Sequence, residues 1–155
     1  MKAVTSNFQP IPLQQSAIDL VKSSDATILL FYGGGRSGKS IVISYIILMR
    51  AMAAPGSRHG IFRRTATACR DTLFDLAFRK ACELTYGRDF LNNPKNCSIK
   101  SIDMTITLSN GSVISFGGLE EHNRDRILGQ EFETIWLNEA TEFDYSDYVF
   151  LMSRL

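Results

Sequence analysis

The stretch LLFYGGGRSGKS, Leu29 to Ser40, constrains this chain more than any other. An apolar run of strand length and composition, Thr27 to Tyr32, stops at Gly33, Gly34 and Gly35. It passes through Arg36 and Ser37 and, after Gly38-Lys39-Ser40, continues as a second apolar run. Gly33, Gly38, Lys39 and Ser40 satisfy G-x-x-x-x-G-K-[ST] in the context that pattern requires, a strand before and a helix after. The glycines remove side chains so that successive backbone N–H groups can point at phosphate oxygens, and the helix N-terminus adds unpaired donors and a positive dipole end. A P-loop of this form binds ATP with Mg²⁺: Gly33 to Ser40 cradle the phosphates, Lys39 reaches the β- and γ-phosphates, and the Ser40 hydroxyl ligates the metal.

A P-loop needs a second, acidic strand end, and Ile135-Trp136-Leu137-Asn138-Glu139 has that form. Glu139 is expected to polarise the attacking water as general base and to lie on the metal side. Asn138 stands where an Asp is usual. It is neutral but can accept a hydrogen bond from a metal-bound water. Trp136, inside the apolar run, is expected in the core.

Pro10 and Pro12 argue for irregular chain over residues 1–14, followed by a short helix over 15–23. Further helices are expected over 39–52 and 66–84, strands over 27–32, 61–64 and 134–137, and a last helix over 144–155 that the sequence leaves unfinished. Strands over 101–108 and 112–116 flank Asn110-Gly111, a strong hairpin signal. The alternation implies an α/β fold with a mostly parallel sheet and an inserted β-hairpin. The interval between the two motifs holds a further strand, which fits the RecA-like (ASCE) three-layer sandwich of P-loop NTPases.

Composition sets limits. Lys and Arg total 17 against 16 acidic residues, a net charge of +1 that gives no sign of a nucleic-acid-coating domain. Cys69, Cys82 and Cys97 are odd in number and lack CxxC spacing, so reduced, buried thiols in a cytosolic chain are expected. With His59 and His122 as the only histidines, a His/Cys metal site is not expected. The N-terminal MKAVTSNFQPIPLQQ has no apolar signal core, and the apolar run from Ile41 to Met49 is too short to span a bilayer, so no membrane partner is expected.

GGGRSGKS with its internal arginine, the early PIPLQQ, and FGGLEEHNRDRILGQEFETIWLNEATEF together resemble the N-terminal ATPase domain of tailed-phage terminase large subunits, DNA-packaging motors. The run from Gly117 to Phe143 makes the resemblance specific. It implies that Gln14, or its neighbour Gln15, is the adenine-side glutamine, and that Arg36 touches or senses the γ-phosphate as a catalytic residue. Glu139 is the catalytic acid by the same resemblance, and Asn138 departs from an acid found in many members. Implied partners are double-stranded DNA, the portal protein, a small terminase subunit and further copies in a ring, working in the host cytoplasm. A coupling motif and a nuclease domain are expected beyond residue 155.

Four further arginines stay open. Arg63 or Arg64 faces the nucleotide side or a solvated strand end. Arg124 or Arg126 acts on a neighbouring subunit's nucleotide, or pairs with Glu120, Glu121 or Asp125. Two rival functions share the motifs: a helicase-type ATPase, and a nucleotide-dependent binding module with little hydrolysis, which Asn138 keeps in play.

Overall fold

The computed structural model describes residues 6–35 and 37–155. Helix α1 runs Pro12–Ser23 and α2 Lys39–Ala53. Strand β1 is Arg58–Arg63. A continuous helical rod follows, made of α3 (Ala66–Cys69), a π-helical segment Arg70–Phe78, and α4 (Arg79–Tyr86). Strands β2 (Cys97–Lys100), β3 (Thr105–Leu108) and β4 (Val113–Gly118) lead to α5 (Glu121–Leu128), β5 (Thr134–Leu137) and α6 (Tyr145–Met152).

The five strands form one mixed sheet in the order β2-β3-β4-β1-β5. β1 pairs in parallel with β4 and with β5, while β3 is antiparallel to both β2 and β4. Alternation along β1 sends its side chains to opposite faces. Ile61 joins a core with Leu48, Leu73, Phe78, Phe116 and Trp136, beneath α2 and the long rod. Phe62 joins Leu119, Ile127, Phe132 and Leu151 beneath α5 and α6. Trp136 is core, as expected. Ile18 of α1 packs on Val42 and Ile46 of α2, and Phe8 stacks on Tyr45.

Several sequence expectations are corrected. Helix α1 begins at Pro12, three residues before the expected start, because proline at the first helical position loses only an N–H that has no intrahelical acceptor. The run from Thr27 to Tyr32 is not a strand of the sheet. Ile28, Leu30 and Tyr32 are 59%, 74% and 88% exposed, so strand composition here is not matched by a pairing partner. Of the expected strand over 101–108, residues 101–104 form a turn and only Thr105–Leu108 is strand (β3), while β2 lies before it at Cys97–Lys100; α5 occupies a polar stretch without an apolar stripe. Helix α6 closes at Met152, where Ser153 caps it, rather than running on to 155.

The three cysteines are free and buried, and burial pushes the Cys69 thiol up to about 12. No helix among the described residues is long and apolar enough to cross a membrane.

Candidate nucleotide site

Helix α2 begins at Lys39, and Gly38 before it adopts φ 78°, a left-handed turn that favours glycine. The turn brings the lysine back over its own loop. Lys39 Nζ donates to Gly33 O at 2.8 Å, Gly34 O at 2.7 Å and Ser37 Oγ at 3.2 Å. The ammonium thus sits among loop atoms at the start of α2, where the helix dipole favours negative charge. Ser40 follows, half-buried, in the first turn. Gly33, Gly34 and Gly35 are exposed, and a Cβ added at any of them would meet nothing within 4 Å. Arg36 lies outside the described residues.

Gln14 and Gln15, alternatives by sequence, are separated by the structure. Gln14 Oε1 accepts from Ile11 N, and its Nε2 lies against the P-loop, where a Cβ on Gly38 would stand 2.6 Å from it. Gln15 Nε2 instead donates to Asp19 Oδ1 along the exposed face of α1.

The far end of α2 is anchored on the turn between β3 and β4. Asn110 Nδ2 donates to Ala51 O and Met52 O, and Ser112 Oγ donates to Ala54 O. Ser112 precedes β4, so the C-terminus of α2 lies at the edge where β1 and β4 begin. The N-terminal half of α2 packs through Val42 and Ile46 on Ile18 of α1.

Asn138 and Glu139 follow the C-terminal end of β5. Asn138 N donates to Phe62 O, which extends the β5 ladder by one residue. Glu139 is exposed and adopts φ 55°, ψ 60°, a left-handed conformation unusual for a side-chain-bearing residue. It caps a short 3₁₀ turn, Ala140–Glu142, and no hydrogen bond or ion pair joins Asn138 or Glu139 side chains to Gly33–Ser40 among the described residues. Ser40, Asn138 and Glu139 are all hard oxygen donors, which suits Mg²⁺, a cation that keeps several waters and takes its remaining ligands from phosphates.

The neighbouring arginines are tied down. Arg63 pairs with Glu142, bracing the turn that carries Glu139, and Arg63 Nε is buried without a partner. Arg64 and Arg124 both grip Asp147, which is fully buried in α6. Arg124 also lies over the Phe150 ring. Arg126 donates to Asp103 O. The partners expected for Arg124 and Arg126 among Glu120, Glu121 and Asp125 are therefore not those found. Sequence reading missed Glu142 and Asp147. The only local trace of Asp147 is its place three residues after Asp144, whose backbone N–H it accepts.

Residues 30–155 match the family model for the terminase large subunit, T4likevirus-type, N-terminal. The fold is similar to the large terminase of a thermophilic bacteriophage, with a TM-score of 0.72 and 19% identity over 94% of this chain and 36% of that one. The same phage protein in complex with ATP-gamma-S gives 0.66 and 17% over 92% and 34%. In complex with ADP it gives 0.68 and 20% over 92% and 35%. The chain thus spans about a third of the solved structures it matches. No curated protein matches it.

Proposed function

Because this chain belongs to the terminase large subunit family through its N-terminal domain, we propose that it hydrolyses ATP and couples hydrolysis to the movement of double-stranded DNA into a prohead. The observation that supports the reading is the glycine-rich loop at the start of α2, over which the Lys39 ammonium folds back onto Gly33 O and Gly34 O. Backbone N–H groups of Gly33 to Ser40 and the Lys39 ammonium hold the triphosphate, with Gln14 on the adenine side of the loop. The Glu139 carboxylate orients and deprotonates the attacking water. Ser40 and, through water, Asn138 would hold Mg²⁺, which would supply neutralisation of the phosphate charge. Arg36 touches the γ-phosphate on family resemblance. DNA, the portal, the small subunit and a ring of copies are the partners of the same reading, and the host cytoplasm its place.

Two substitutions test the assignment. Lys39→Ala should weaken binding of a fluorescent ATP analogue by about tenfold or more. Glu139→Gln should bind it normally and lose roughly 10²-fold in turnover. Unchanged affinity in the first overturns the P-loop role, and unchanged turnover in the second overturns the base. If neither the wild type nor Asn138→Asp turns ATP over with Mg²⁺, the binding-module reading takes precedence.

A further inference from the structure

Over the C-terminal half of β4, a cavity of about 240 Å³ is lined by residues of α3, of α5 and of the turn that joins β2 to β3. Its floor is shallow because Ser115 and Gly117 project little. Neither the Gly33–Ser40 loop nor Asn138 or Glu139 lines it, so the cavity is distinct from the candidate nucleotide site.

Two arginines from different elements meet at this cavity. Arg70 opens the π-helical segment and donates to Ile102 O at 3.4 Å, and Arg126, in the last turn of α5, donates to Asp103 O. Consecutive carbonyls of one turn therefore hold two guanidinium groups close together. Arg63, Arg64, Arg79, Arg88 and Arg124 all have carboxylate partners. Among the described residues Arg70 and Arg126 have none. Each guanidinium has five N–H donors in a planar fork, and one loop carbonyl apiece leaves most of them unused. Two like charges held together without a counter-ion repel each other, and a dianionic tetrahedral group between them would relieve that repulsion.

We infer that Arg70 and Arg126 form a second anion site that takes a phosphate group, supplied by the DNA backbone or by a free phosphate-bearing ligand. The site is independent of nucleotide binding at the P-loop.

The test uses the full chain carrying Lys39→Ala, which removes the P-loop's own grip on phosphate. Inorganic phosphate is titrated by calorimetry, and a 30-base-pair duplex is titrated across a salt series. Adding Arg70→Gln and Arg126→Gln should lower phosphate affinity by about tenfold or more. If DNA supplies the phosphate, the slope of log affinity against log salt should also become shallower by about 0.9 for each phosphate no longer neutralised. A weaker phosphate affinity with an unchanged slope assigns the site to a free ligand. Arg70→Lys with Arg126→Lys keeps the charge while removing the fork, and thermal unfolding reports whether each variant is folded. The lysine pair decides the matter if the glutamine pair does not fold. Phosphate affinity unchanged in a folded variant, or no phosphate binding by the parent, overturns the inference.

Discussion

The carboxamide of Gln14 lies so close to Gly38 that a methyl group on Gly38 would stand 2.6 Å from Gln14 Nε2. Space and backbone both demand glycine here, since Gly38 also has φ 78°. Gly38→Ala should therefore displace Gln14, strain the turn by about 1–2 kcal/mol and weaken nucleotide binding. Adding Gln14→Ala should remove the clash but not the backbone strain, so affinity recovers only in part. Analogue titration of the single and double variants checks this, and full recovery would show that the clash alone matters.

Glu139 holds a conformation that costs a non-glycine residue about 1 kcal/mol or more. Glu139→Gly and Glu139→Ala both remove the carboxylate and should be equally inactive. They should differ in stability, with the glycine variant firmer by about 1 kcal/mol because only it relaxes the turn. Urea midpoints decide, and equal midpoints would mean that the turn changes shape when Glu139 is replaced.

Asp147 is fully buried between Arg64 and Arg124 and accepts the Asp144 backbone N–H. Asp147→Ala leaves two arginines facing a site without its counter-charge, and unfolding free energy should fall by about 3–5 kcal/mol. Arg64→Ala should cost much less, because 43% of that side chain is exposed and Arg124 still neutralises the aspartate. Denaturant unfolding of both variants tests the ranking.

His59 is buried, and desolvation is the main reason its pKa falls to about 4; Arg50 adds to the fall and Glu133 opposes it. Its hydrogen bonds agree with a neutral ring. Ser57 Oγ donates to Ser112 Oγ, and Ser112 Oγ donates to Ala54 O, so Ser57 is left to accept from His59 Nε2–H. The unfolded chain takes up this proton near 6.5 and the folded chain near 4, so between those values the unfolded state binds more protons. Stability should fall as pH drops from 6.5 towards 4, by as much as about 3 kcal/mol from this group. Comparing wild type with His59→Leu at pH 7 and pH 5 isolates the effect, and identical pH dependence would remove it.

Local chemistry determined much of this protein before any packing. The glycines before Lys39 place a helix start there, Asn110-Gly111 turns β3 into β4, and the apolar Thr134–Leu137 is a strand whose Trp136 is core. The terminase resemblance rests on residues that can be read in order along the chain, and the family match bears it out. Tertiary structure decided the rest, because the deciding partners are remote. A strand exists only where its N–H and C=O groups find a ladder, and Thr27 to Tyr32 has the composition without the ladder. Which of Gln14 and Gln15 lies against the glycine-rich loop depends on how α1 lies across it. Arg64 finds Asp147 83 residues away, and Arg63 finds Glu142 79 residues away. Sequence periodicity reaches three or four residues, so it could show that these side chains were charged but not which charge each would meet.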